Sequence, residues 1–198
     1  IDLRSAMFFG SRRCFKSVLA AHTAALLAWA TLAAGDRIGA MLLSDEGIVD
    51  IKPRRSRHTV LQLFRQLITI SARQTAFASG NSLVSGNAVA TTVPKLQDAL
   101  QQLRAVARPG SCTILLGDFH DWNEDCARAL HSVVRHSQCF AIQTADTLEK
   151  TLLPVGLARL RNGWHRTTVD TQDRTLLARF RQQNDLRQQQ LQSALKTL

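Results

Sequence analysis

Tyrosine is missing from this 198-residue chain, and the other rings are few, eight Phe and three Trp. The 25 Lys and Arg are spread over several segments without interleaved aromatics. That excludes the RNA-binding modules that stack bases on aromatic platforms. Only four cysteines occur (Cys14, Cys112, Cys126, Cys139), too scattered for a disulfide scaffold. None forms a CxxC pair, so the zinc signal is absent as well. Three of them lie in apolar or helical runs, where Cys acts as a small hydrophobe, and a reducing cytoplasm is the simpler reading. The chain has no GxSxG element, no phosphate-binding glycine loop and no internal repeat.

Acids are in short supply. Fifteen Asp and Glu leave a net charge of +10 and a pI near 10.7. A basic surface of this kind serves a nucleic acid or an anionic membrane, or it is simply a solvated face. Hydrophobic residues make up 45% of the chain, which excludes a disordered polymer and suits one domain with a sizeable core.

One apolar stretch, 17–34, is long enough to raise the question of a membrane span. It is mostly Ala, contains His22, and is followed by Gly35 and Asp36, so it reads as a buried core helix apolar on every side, with His22 as a core histidine. No transmembrane segment and no signal peptide are expected. The chain begins inside an apparent strand without Met, as a fragment lacking its N-terminal part would.

Strands and helices alternate. Residues 1–3 read as a strand end, 14–34 as a helix stopped by Gly35, 37–43 as a buried strand, and 47–51 as an antiparallel edge strand before Pro53. A helix over 56–76 would bury Val60, Leu61, Phe64, Leu67 and Ile68. Residues 79–92, rich in Gly, Ser, Asn and Ala, read as a mobile loop. A helix from Pro94, a strand at 112–116, a helix at 123–136 and a strand at 139–144 follow. Asn162-Gly163 signals a hairpin, and Asp170 or Thr171 is placed to cap a last helix in 171–198. The pattern predicts a mainly parallel sheet covered on both faces, with ligands at the carboxyl ends of its strands. Three polar clusters fall there: 2–5, 44–46 and 117–121.

Several pieces in order resemble the bacterial von Willebrand factor A-like family called domain of unknown function 58. They are residues 2–11 (DLRSAMFFGS) with Lys16 beyond, Ala28-Trp29 leading to 35–40 (GDRIGA), and 115–119 (LLGDF), with 146–149 (DTLE) and 153–156 (LPVG) later. The resemblance implies a three-layer Rossmann-like domain over 1–198, its mainly parallel central sheet carrying one antiparallel edge strand. It also implies a MoxR-type AAA+ ATPase, or that ATPase's client, as partner.

The fold's hallmark is an adhesion site in which an Asp-x-Ser-x-Ser loop, a Thr and a second Asp hold Mg²⁺ or Mn²⁺. Asp2 and Asp118 match the two acids; Arg4 and Ala6 replace the two serines, Ser5 is out of register, and Thr91 and Thr92 lie upstream of the expected position. The set Asp2, Ser5 and Asp118 is therefore an incomplete site that binds a metal weakly or not at all. Facing carboxylates repel without a cation. Arg4 can supply one, its guanidinium forking onto Asp2 or Asp118.

The reading is a non-enzymatic, cytoplasmic protein-interaction domain with a degenerate adhesion site. Its partner would meet Arg4, Ser5, Ser44, Asp45, Asp118 and His120, and no specific nucleic acid is expected. The alternatives are a metal-dependent hydrolase built on Asp118, His120 and Asp121, with Glu124 and Asp125 nearby, and a basic nucleic-acid-binding domain. Glu124 and Asp125 also suit a plain helix start, because acids favour the positive end of a helix. Gly10 and Ser11, ahead of a helix, could receive an anion.

Overall fold

A computed structural model of the chain describes residues 1–78, 93–162 and 165–197. The expected loop at 79–92 and the Gly163 position of the expected hairpin lie outside those residues. After a single 3-10 turn at Ser5–Met7 come α1 (Lys16–Ala33), β1 (Ile38–Ser44), β2 (Gly47–Arg54) and α2 (Arg57–Ala78). Then follow α3 (Leu96–Val106), β3 (Cys112–Gly117), α4 (Glu124–Val134), β4 (Gln138–Gln143) and α5 (Thr147–Lys150). A hairpin of β5 (Leu157–Asn162) and β6 (His165–Asp170) leads into α6 (Arg174–Thr197).

The architecture is mixed α/β, but the expected continuous, mainly parallel sheet is replaced by three two-stranded pairs. β1/β2 and β5/β6 are antiparallel, and β3/β4 is parallel. Residues 1–3 explain the difference. They are bonded to β1 on one side (Leu3 N to Leu43 O 2.7 Å, Leu43 N to Ile1 O 2.9 Å) and to β3 on the other (Asp2 N to Leu116 O 2.8 Å). In so short a segment only Asp2 makes a bridge, parallel to Leu43. Three residues thus tie β1 to β3.

Side chains alternate across a strand, and β1 feeds two cores. Leu43 joins Leu96, Leu100, Leu130 and Val133 of α3 and α4, together with Leu191 of α6. Leu42 joins Leu3, Ala28 of α1, and Val60, Leu63, Leu67 and Ile70 of α2. Each fully buried Leu stabilises the fold by about 1.5–3 kcal/mol.

Two helices depart from their expected burial. In α2 the buried face is Val60, Leu63, Leu67 and Ile70, while Leu61 and Ile68 are exposed. The three-four-three spacing of the buried set follows the core, and the sequence offered two competing apolar stripes. α1 buries Ser17, Ala20, Ala24 and Ala28 along one stripe and exposes Leu19 and Leu26. It is therefore a one-sided surface helix, and His22 is exposed rather than a core histidine. Among the described helices it alone has the length and composition of a membrane span, yet its first residue is buried in ion pairs, so it is no clear transmembrane segment. Gly35 ends it with φ +83°, a left-handed position suited to glycine, and donates its N–H to Leu32 O.

Other details also shift. Asp173, not Asp170 or Thr171, caps α6, accepting from Thr175 N at 2.8 Å. Thr171 is buried and closes the β5/β6 hairpin base through its bonds to Gly156 O and Val155 N. Lys95 rather than Pro94 stands at the start of α3, its N–H on Asp98.

Candidate functional site

The polar ends of β1, β3 and the 1–3 segment meet at one rim. Gly117 ends β3 there, and a Cβ on it would sit 2.9 Å from Asp2 Cβ. Only glycine lets Asp2 lie this close to β3. Arg4, two residues on, is 5% exposed. Its Nε and Nη2 donate to the two Asp2 oxygens at 3.0 and 2.6 Å. Its Nη1 and Nη2 donate to Asp121 at 2.6 and 2.8 Å. A guanidinium fork matches two carboxylates in this way, and a lysine cannot. Burial opposes the charge, but the bonds to Asp121 and Asp2 outweigh it and raise the guanidinium's pKa above its usual value. Asp121 also accepts from Leu96 N at the start of α3. Burial pushes its carboxyl up, but Arg4 and Leu96 together hold it below the ordinary value.

Asp118 has a different cation. Lys16, buried at the first position of α1, donates Nζ to Asp118 Oδ2 at 2.8 Å and to Glu149. On its other oxygen Asp118 accepts from His120 N (3.1 Å) and faces His120 Nδ1 (3.0 Å). Burial acts against the charged carboxylate, but His120 and Lys16 hold it well below the usual carboxylate range. The same bond raises the His120 pKa, with burial working against it. Phe119 between them has φ 55°, uncommon for a large side chain. Its ring is buried against Trp122, 6.3 Å away and edge-on. The left-handed residue turns the 118–121 loop so that its acids reach different cations, at a cost of about 1–3 kcal/mol.

The remaining expected residues take other roles. Ser44 is buried and donates to Gly47 O at 3.0 Å, closing the β1/β2 turn. Asp45 accepts the Ser5 N–H at 3.0 and 3.1 Å and pins the turn after Arg4. Glu124 and Asp125 lie in the first turn of α4, with Asp125 paired to Arg128 and Asn123 capping the helix. The Ser11 N–H and hydroxyl are taken by Asp146, so the anion there is the chain's own. Thr91 and Thr92 lie outside the described residues.

Arg4 thus grips Asp2 as expected, but its second acid is Asp121, not Asp118. Lys16 and Glu149 were not foreseen as members of the cluster. The signal for Lys16 was available: a lone cation opens an Ala-rich helix at the end where the macrodipole disfavours it. Asp2, Asp121 and Asp118, the rim acids a divalent ion would need, each already hold an Arg4 or Lys16 nitrogen. Among the described residues no three His, Cys, Asp or Glu side chains form a group able to hold a metal.

A family model described as "Protein of unknown function DUF58" matches residues 1–190. No curated protein and no solved structure matches the chain.

Proposed function

Since the chain belongs to the DUF58 family, we propose that it is a cytoplasmic protein-interaction domain of the von Willebrand A type. In this reading the adhesion-site metal has been exchanged for the fixed cations of Arg4 and Lys16. The observation that carries it is the Arg4 fork, buried and bonded to the Asp2 and Asp121 carboxylates together. A metal-based adhesion site leaves a coordination position open for a partner's carboxylate. A guanidinium with its nitrogens already engaged does not, so binding falls to the exposed edge around His120. His120 is 43% exposed and biased towards its charged form by Asp118, so it suits an acidic partner surface. The partner implied is a MoxR-type AAA+ ATPase or that ATPase's client, which makes the activity assembly or maturation of other proteins rather than catalysis. The hydrolase alternative draws less support, because Asp121 is committed to Arg4 and Asp118 to Lys16.

Two measurements test the proposal. Calorimetric titration with Mg²⁺ and Mn²⁺ should give no heat of specific binding; tight uptake by the unaltered chain would overturn the exchange of metal for arginine. A pull-down with a MoxR-type ATPase should weaken at least about tenfold for His120→Glu, the ~1.4 kcal/mol lost with one charge pair at an interface edge. Full retention by both His120→Glu and Asp118→Asn would rule out this rim as the binding face.

A further inference from the structure

The outer faces of α1 and α2 have another character. α1 turns Leu19, Leu26 and Trp29 outward, on the side away from its buried alanine stripe, and Leu26 is 73% exposed. α2 does the same with Leu61 and Ile68, the latter 68% exposed. The two outward faces meet where Trp29 packs edge-on against Phe64, 6.1 Å between ring centroids. Leu61 and Ile68 stand three and four residues from Phe64, on its side of α2.

Cations ring this apolar area. The Arg57 guanidinium lies 5.9 Å from the Trp29 ring centre. Arg55 reaches the α1 terminus at Gly35. Arg54 pairs with Ile38, next to Arg37, and Arg65 follows Leu61 by one turn. All five arginines are exposed, and among the described residues none makes an ion pair. Of the acids close in sequence, Asp36 adjoins Arg37 and Asp50 lies further along β2.

We propose that the outer face of α1 and α2 docks onto an anionic lipid surface, with Leu26, Leu61 and Ile68 entering the acyl boundary and the arginines meeting headgroup phosphates. Apolar residues beside a basic rim, with Trp where the two meet, are the composition of an interfacial helix surface. Nucleic acid fits less well, since a phosphate backbone rewards the arginines but leaves the exposed leucines in water. A second copy fits less well too: a two-fold contact through this face sets arginines against arginines.

The test is flotation of the chain with vesicles of phosphatidylcholine alone or with about 30% phosphatidylglycerol, at low and high salt. Binding should require the anionic lipid and fade with salt. Each Arg near such a surface is worth roughly fivefold, so Arg55→Glu/Arg57→Glu should weaken partitioning about a hundredfold or more. Leu26→Glu/Ile68→Glu should weaken it at least about tenfold, with an unchanged melting curve because both sites are exposed. Absence of vesicle binding, or equal binding to neutral vesicles, overturns the proposal. So does binding that survives Leu26→Glu/Ile68→Glu and is competed by duplex DNA, which assigns the face to a phosphate backbone. A dimer in sedimentation that Leu26→Glu abolishes overturns it in favour of a second copy.

Discussion

Arg4→Ala isolates the central physical claim. The substitution leaves Asp2 and Asp121 facing each other with no cation between them. Asp2 is almost wholly buried and Asp121 is 23% exposed at its side chain. Removing one partner of a buried ion pair costs about 3–5 kcal/mol. Solvent screens part of the Asp121 contribution, which places the expected loss at about 3–4 kcal/mol. With a urea slope of about 2 kcal/mol per molar, the unfolding midpoint should fall by about 1.5–2 M. Arg4→Lys should lie between, since it keeps the charge but not the fork. Acid should narrow the gap between parent and variant, because protonation removes the repulsion that the variant suffers. Mg²⁺ at about 10 mM should restore about 1.4 kcal/mol to Arg4→Ala if the freed carboxylates bind it with a dissociation constant near 1 mM, and leave the parent unchanged. Equal urea midpoints for parent and Arg4→Ala, or equal Mg²⁺ stabilisation of both, would refute the reasoning.

Other expectations follow from the same rim. The Asp118 carboxyl is held below its ordinary 3.8, so its contribution is present above that pH and is lost as pH falls through its folded value. His120 is held above 6.5, so its contribution is whole below that pH and is lost as pH rises through its folded value. Thermal melts across pH should therefore peak between about 4 and 6.5 as far as this pair decides them, and an NMR titration placing His120 at or below 6.5 would refute the pairing. Lys16→Met should cost about 3 kcal/mol by denaturant unfolding and raise the His120 pKa further, because Asp118 then has one cation left. Gly117→Ala should cost about 1–3 kcal/mol, as the new methyl meets Asp2 Cβ, an atom tied directly to the backbone; an unchanged melting temperature would contradict the close approach. Asn123→Ala should cost about 1 kcal/mol, the loss of the α4 cap that holds Cys126 N.

Much of the chain's layout was readable from local chemistry. Gly35 stops α1, Pro53 and the tight Asp45-Glu46 turn mark β2 as an antiparallel neighbour, and Asn162-Gly163 marks the hairpin paired from Asn162 to His165. These signals act within a few residues, where backbone preferences alone decide. The exposed halves of α1 and α2 were not readable. An apolar stripe is the same string of letters whether it faces a core or remains uncovered, and Leu61 and Ile68 fit the helix period as well as Leu63 and Ile70 do.

The candidate site divides in the same way. The bare sequence determined that an arginine stands at position 4 and that acids are available at Asp2 and in 118–121. It also determined that the chain carries more positive charge than its acids can neutralise. Which acid answers which cation was left to the tertiary structure. Asp118 and Asp121 are three residues apart, yet the left-handed turn at Phe119 sends one to Lys16 and the other to Arg4. Lys16 and Glu149, 133 positions apart, meet only because the start of α1 and the short α5 lie at the same rim. Electrostatic pairing depends on distance in space and on exclusion of water, and neither is a property of neighbouring letters.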